Sequence, residues 1–168
     1  DQKQYVNSYF FKDLVSRKST GNDVFVVDGG GTIVYSSFQS CIIKRGQRLI
    51  LSTGLCSMGS GLPEAIGVSY GDRNKRVICF IGDGSFPFNM QELQLIKNHN
   101  LPIKIFVFNN GGYVSIQSTQ AGFLEGNFVG STPKSGLSLP NIKNVAASFE
   151  ISYFALHNQV EAVDQIDS

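Results

Sequence analysis

The sequence predicts a doubly wound α/β fold, with a mostly parallel sheet and helices on both faces. Three observations carry this. Short apolar runs alternate with helix-compatible stretches along the chain, and that alternation builds parallel sheets through right-handed crossovers. Runs such as DVFVV and RVICFI are continuously apolar, as strands covered on both faces are. Glycines cluster after several of these runs, at 29–31, 54–61, 82–84 and 111–112, where backbone must turn sharply or approach a ligand closely.

Each element has its own grounds. Residues 3–18 place Tyr5, Tyr9, Phe10 and Leu14 in rough helical register, which predicts a first helix. DVFVVD (23–28) predicts a strand ending at three glycines, and RLILST (48–53) a second. In the following GLCSMGSGLPEAIGVSYG, Pro63 suits the first turn of a helix reaching about Tyr70. RVICFI (76–81) predicts the third strand. Asn89, with Glu92 three residues later, reads as a capping box opening a helix with Met90, Leu93 and Ile96 on one face. LPIKIFVFNN (101–110) predicts the fourth strand, fixed at its start by Pro102. Residues 111–139 read as a long, polar, glycine-rich loop with room for one short helix. LPNIKNVAASFE (139–150) predicts a helix with Pro140 near its start, ISYFAL (151–156) a fifth strand, and 158–167 a further helix. The expected organisation is a single domain over 1–168 without internal repeats. No closing strand follows the last helix, so the chain reads as a piece of a larger protein, truncated at its C-terminal end.

Composition narrows the function. With 42% hydrophobic and 16% charged residues, 168 residues can bury one substantial core. A net charge of +1 argues against nucleic acid or anionic membrane partners. There is no apolar run of about 18 residues and no basic-then-apolar leader, so neither a transmembrane span nor a signal peptide is expected. Cys41, Cys56 and Cys79 are odd in number and lack CxxC spacing. That disfavours a disulfide framework or zinc site and suggests a reducing compartment, read as cytoplasmic.

The chemistry concentrates at two strand ends. The strand over 76–81 runs into Gly82-Asp83-Gly84-Ser85, and the strand over 103–108 runs into Asn109-Asn110-Gly111-Gly112. One helix crosses between them, so both ends belong to one βαβ unit and share an edge of the sheet. Near a topological switch point, that edge is where open α/β sheets bind ligands. Asp83 and Asn110 are therefore expected to lie close in space. A carboxylate and an amide oxygen are hard ligands that suit Mg²⁺, which completes its octahedron with phosphate oxygens and water. Gly84 offers an N–H without side-chain bulk, and Ser85 adds an N–H and a hydroxyl, together an anion cradle. An isolated Asp-Gly is more often a turn, but this one leaves a buried strand for a helix, which disfavours a hairpin.

GDGS followed by NN resembles the thiamin diphosphate motif of the acetolactate synthase / pyruvate decarboxylase family. GDGSFPFNMQEL, LPIKIFVFNNGGY and STGLCSMGSGLPEAIG together are most similar to the acetolactate synthase branch. The resemblance covers essentially the whole chain, as the C-terminal, diphosphate-binding domain of such multidomain enzymes. It implies that Asp83, the side chain of Asn110 and the backbone carbonyl of Gly112 bind Mg²⁺. It implies that Gly84 and Ser85 hold the diphosphate, with Gly30, Gly31 and Thr32 of DGGGT on the other side. Met58 corresponds to the bulky apolar residue that wedges the cofactor into a bent shape, and its N–H and the carbonyl of Cys56 would meet the aminopyrimidine. Tyr113 follows the metal loop and packs on the cofactor or on the loop; Ile116 lines the substrate side. The bound cofactor would supply an electron sink for decarboxylation and carboligation of 2-oxo acids.

The resemblance places no catalytic residue on this chain. The essential glutamate belongs to a pyrimidine-binding domain of a partner subunit, so a homodimer or tetramer is implied and this chain alone is expected to be inactive. Two departures matter. Cys56 stands where the family often has glycine, and YVSIQSTQ replaces the Gln-Trp pair usual in the acetolactate synthase branch. Neither the substrate nor any use of FAD is implied by these residues. DGGGT and EGNFVG…SGLSLP are similar to family members linked to surface-polysaccharide or sugar metabolism.

Two alternatives stand beside this reading. VFVVDGGGTIVYSS resembles the first phosphate loop of sugar kinases and actin-like ATPases, a strand-loop-strand unit in which Asp28 would sit by metal-bound ATP. That fold needs two such domains and leaves GDGS and NN unexplained. The other alternative is a relative that keeps the fold and has lost activity. His99, His157 and Cys79 read as structural residues.

Overall fold

Asp23–Val27 (β1), Arg48–Ile50 (β2), Arg76–Gly82 (β3) and Ile103–Phe108 (β4) form one parallel sheet in the order β2-β1-β3-β4. The computed structural model describes residues 4–167; positions 1–3, where the expected first helix begins, and position 168 lie outside the described residues. The chain winds from β1 outward to β2, then returns past β1 to β3 and on to β4. Winding therefore reverses between β1 and β3, and the carboxyl ends of these two strands flank the switch point.

Period-2 alternation along β1 and β3 splits the core between the two faces. Val26, Val77, Cys79 and Ile81 pack with Leu62, Ala65 and Ile66 of α3 (Gly61–Gly71) and Leu93 and Ile96 of α4 (Glu92–Asn98). Val145 of α6 (Ile142–Ser148) adds to this side. Phe25, Val27, Ile78 and Phe80 pack with Phe11 and Val15 of α1 (Ser8–Lys18), Ile33 and Val34 of α2 (Gly31–Ser40) and Ala162 of α7 (Gln159–Asp167). The sheet is thus doubly wound and covered on both faces, as its continuously apolar strands predict.

Several expectations are corrected. The first helix starts at Ser8, capped by Asn7, whose Oδ1 accepts from the N–H of Tyr9 and Phe10. Its buried face is Phe11, Lys12, Val15 and Ser16, whereas Tyr9 and Phe10 are exposed. Edge-on packing of Phe11 against Phe106 and Phe108 of β4 selects that face. The stretch after DGGG, which has no element in the sequence reading, is helix α2. Its glycine, serine and β-branched residues are weak helix formers, and burial of Ile33, Val34, Ser36 and Ser37 overrides them. Asn89 and Glu92 form no capping box. Phe86–Asn89 is a 3₁₀ turn, Asn89 spends its side chain on the Gly59 carbonyl, and α4 begins at Glu92.

The 111–139 stretch is more ordered than a long loop. It holds the ten-residue helix α5 (Val114–Phe123) and a 3₁₀ turn at Pro133–Ser135 closed by a Thr132–Ser135 capping box. The fifth strand does not form. Ile151 and Leu156 pack on opposite faces of the sheet, but residues 151–157 join no ladder, and Tyr153 and Phe154 between them are exposed. Local strand propensity without a paired edge does not make a strand.

Candidate functional site

A cleft opens at the switch point, lined by Gly30–Ile33, Met58, Gly82–Ser85, Asn110 and Gly112–Ile116. Of the residues that the sequence assigns to cofactor or metal, all but Cys56 line it. Cys56 lies just behind, in the left-handed region at φ 51°, with its Sγ donating to the Gly29 carbonyl at 3.4 Å.

Asp83 sits at the exit of β3 and is almost fully buried. Its Oδ1 accepts from the Gly84 N–H at 2.8 Å. Its Oδ2 accepts from the N–H groups of Gly111 at 2.7 Å and Asn110 at 3.1 Å. Parallel register between β3 and β4 makes this possible, because Gly82 stands opposite Phe108 and the two polar loops leave the sheet side by side. Burial pushes the Asp83 carboxyl above its ordinary range; the bonds from Gly111, Gly84 and Asn110 work against it without cancelling it. The carboxylate is under-compensated for its charge.

The Asn110 amide explains what would compensate it. In the orientation its neighbours satisfy, its Nδ2 donates to Asp83 Oδ1 at 3.3 Å and to the Gly112 carbonyl at 2.8 Å. Turned over, the same amide would set its oxygen beside those two acceptors, as a cation would require. An octahedral Mg²⁺ with bonds of about 2.1 Å separates neighbouring ligand oxygens by about 3 Å, so the turned amide, Asp83 and Gly112 would be spaced as a ligand set. Among the described residues no cluster of three or more His, Cys, Asp or Glu could hold a metal; a cation here would have one carboxylate, one amide and one carbonyl to draw on.

Donors face this trio. The N-cap of α2 is Gly30, with no side-chain capping bond, so the first amides of that helix are free toward the cleft. Helix α5 likewise starts uncapped at Tyr113, and the two helix starts nearly touch: a Cβ on Gly31 would lie 2.7 Å from Ser115 Oγ. The two amides expected to cradle an anion after β3 are already paired, Gly84 to Asp83 and Ser85 to the Gly82 carbonyl at 3.1 Å. The Ser85 hydroxyl beside Gly30 is the donor that remains there. Gly84 matters for space: a Cβ would lie 2.4 Å from the Tyr113 ring and 3.7 Å from the Met58 methyl.

Behind Gly112, the Ser131 carbonyl accepts from the Tyr113 N–H at 3.1 Å and Gln117 Nε2 at 2.8 Å. Buried Ser131 donates to Gln120 Oε1 at 2.6 Å, which ties the loop after α5 back onto that helix. Ile33, Val114 and Ser115 also line the cleft, and no motif marks them. They arrive with α2 and α5, and α2 could have been inferred, because joining two parallel strands takes a crossover of about a dozen residues or more. His99 packs edge-on against Tyr70, a structural role as expected.

Asp28, at the end of β1, is buried and accepts from the N–H groups of Gly59, Gly61 and Gly30. Residues 31–40 after it are helical, so neither the strand-loop-strand unit nor the free carboxylate of an actin-like phosphate loop is present.

Residues 23–168 match the family described as thiamine pyrophosphate enzyme, C-terminal TPP binding domain; thiamine pyrophosphate is thiamin diphosphate. The chain is 35% identical over 146 residues to the acetolactate synthase large subunit of Porphyra purpurea, covering 87% of this chain and 24% of that protein. It is 30% identical over 154 residues to the large subunit from Lactococcus lactis subsp. lactis, covering 91% and 26%. With the isozyme 2 large subunit of Escherichia coli it shares 34% over 153 residues, covering 90% and 27%. The chain spans about a quarter of the length of these curated relatives. By fold, by site position and by this match, the chain belongs to the thiamin diphosphate-dependent enzymes, as their C-terminal cofactor-binding domain.

Proposed function

We propose that this domain binds the diphosphate end of thiamin diphosphate through Mg²⁺, within an acetolactate synthase-like enzyme that acts on 2-oxo acids. The buried Asp83 carboxylate, with the Asn110 amide and the Gly112 carbonyl within reach of it, supports this best, since a cation there would offset a charge that burial leaves under-compensated. In this reading they hold Mg²⁺. The Ser85 hydroxyl, the free amides of Gly31 and Thr32 and the side-chain-free surfaces of Gly30 and Gly84 receive the diphosphate. Met58 and Tyr113 close over it, Ile116 faces the substrate side, and the Cys56 carbonyl and Met58 N–H orient the aminopyrimidine. The bound cofactor supplies the electron sink for decarboxylation; these residues supply its orientation and exclude water from the diphosphate.

The catalytic glutamate is proposed to come from a pyrimidine-binding domain of a partner subunit in a homodimer or tetramer. A cytoplasmic location is proposed from the cysteine pattern. Among the described residues no helix is long and apolar enough to cross a membrane.

The test is calorimetric titration of the full-length protein with thiamin diphosphate, with and without Mg²⁺, followed by an assay for CO₂ release from 2-oxo acids. Mg²⁺-dependent binding with turnover is expected. Binding without turnover of any 2-oxo acid would mark a relative that has lost activity, and no Mg²⁺-dependent binding would sink the reading.

A further inference from the structure

One buried carboxylate joins the two loops that the cofactor would have to span. Asp28 is fully buried at the carboxyl end of β1, and the ion pairs among the described residues use Asp13, Asp23 and Glu150 instead. Its Oδ1 accepts from the Gly59 N–H at 2.9 Å and the Gly61 N–H at 3.0 Å, which fixes the loop carrying Met58 and places negative charge at the start of α3. Its Oδ2 accepts from the Gly30 N–H at 3.3 Å, in the loop that opens α2. Its own N–H donates to the Phe80 carbonyl, which anchors it to β3.

Gly59 is held from its other side as well. Asn89 Nδ2 donates to the Gly59 carbonyl at 2.9 Å. Gly59 lies in the left-handed region at φ +87°, and a Cβ there would lie 2.5 Å from Phe88 Cβ. Gly61 has no room either, since its Cβ would lie 2.9 Å from Asp28 Cβ. The residue next to Met58 is thus clamped by side chains from the end of β1 and from the 3₁₀ turn that follows β3, and the first of them also holds the Gly30 loop.

We propose that Asp28 is a positioning residue that sets the Met58 loop and the Gly30–Thr32 loop at a fixed separation, with Asn89 as its counterpart across Gly59. This rests on the cofactor reading above. A ligand reaching both loops, thiamin diphosphate, depends on that separation, whereas inorganic diphosphate reaches only the Gly30 side. In Asp28→Asn the Oδ1 bonds to Gly59 and Gly61 remain, while an NH₂ group facing the Gly30 N–H breaks the third. Asp28→Ala loses all three.

The experiment is equilibrium titration of the full-length protein and its variants with thiamin diphosphate and, separately, inorganic diphosphate, each with Mg²⁺, with thermal melts to verify folding. Asp28→Ala should weaken thiamin diphosphate by about 10–100-fold and inorganic diphosphate by much less. Asp28→Asn should recover about tenfold of that loss, and Asn89→Ala should weaken thiamin diphosphate alone. If Asp28→Ala does not fold, Asp28→Asn and Asn89→Ala carry the test. Equal weakening of both ligands, or wild-type affinity for thiamin diphosphate in the folded variants, would overturn the proposal. A wild-type protein that binds neither ligand would instead overturn the cofactor reading, and the proposal with it.

Discussion

The side-chain amide of Asn110 bridges Asp83 and Gly112, its nitrogen donating to the Gly112 carbonyl at 2.8 Å and to Asp83 Oδ1 at 3.3 Å. Binding a cation would require the amide to turn and present its oxygen instead. Asn110→Asp sharpens the contrast, because it puts a second carboxylate beside Asp83. In metal-free protein it should destabilise by on the order of 2 kcal/mol through like-charge repulsion. Mg²⁺ should reverse the loss and raise the melting temperature by more than in the wild type. Metal-free and Mg²⁺ melts of both proteins check this; a variant indifferent to Mg²⁺ would show that no cation sits there.

Gly84 and Tyr113 form a size-complementary pair. A Cβ on Gly84 would lie 2.4 and 2.6 Å from two ring carbons of Tyr113. Gly84→Ala should therefore push the ring into the cleft and weaken thiamin diphosphate by about tenfold or more, with a stability loss of about 1–3 kcal/mol from overpacking. Tyr113→Ala in the same protein should restore much of the stability, because the two sites are in contact and their effects are not additive. Purely additive losses in a double-mutant cycle would refute the pairing.

Most of the cleft was legible in the sequence because its parts are local and short-range. GDGS and NN each end an apolar run, and parallel pairing of β3 with β4 brings them together without further information. The glycines were legible as positions of close approach, although what each one clears, such as the Tyr113 ring over Gly84, depends on packing. Less legible was whatever depends on distant partners. Helix α2 is made by the core it covers and not by its own residues. Asn89 passes for a helix cap until Gly59, thirty residues away in sequence, takes its side chain. Asp28 passes for part of a phosphate loop until the loop around Gly59 and Gly61 folds onto it. ISYFAL has the composition of a strand and lacks a partner edge, which no local pattern reveals.

Cys56 holds a left-handed backbone, φ 51°, where an L side chain costs about 1 kcal/mol and glycine costs little. Its Sγ contact with the Gly29 carbonyl is a weak offset. Cys56→Gly should stabilise the domain by up to about 1 kcal/mol, less what glycine adds to the entropy of the unfolded chain. Thiamin diphosphate affinity should be unchanged, since the carbonyl at 56 is kept. Cys56→Val should cost about 2 kcal/mol or more, because β-branched residues tolerate this region worst. Denaturant midpoints of the two variants decide: if glycine destabilises as much as valine, backbone strain is not what distinguishes this position.

Lys12 is fully buried between α1 and α2, with Nζ donating to the Ile33 carbonyl at 2.8 Å and Ser36 Oγ at 2.5 Å. It also lies over the rings of Phe108 and Phe80, at 4.6 and 5.6 Å from their centroids. Burial lowers its pKa from 10.5 to about 7, even though the ring faces favour the ammonium. Below pH about 7 the lysine is charged in both folded and unfolded chains, and the folded state bears the cost of a buried ammonium. Between about 7 and 10.5 the unfolded chain holds a proton that the folded one has released, so this group makes stability rise with pH across that window. Cys41, whose thiol burial pushes up from 9.0 to about 11, acts with the opposite sign between those values and does so in both proteins. Lys12→Met keeps the length of the chain and its packing against the rings but cannot titrate. Its stability relative to the wild type should therefore be highest near pH 6.5 and should fall by on the order of 3 kcal/mol by pH 9.5. Denaturant unfolding of both proteins at a series of pH values measures this directly. Parallel curves across the window would mean that Lys12 keeps its proton in the fold, held by the carbonyl and the two ring faces.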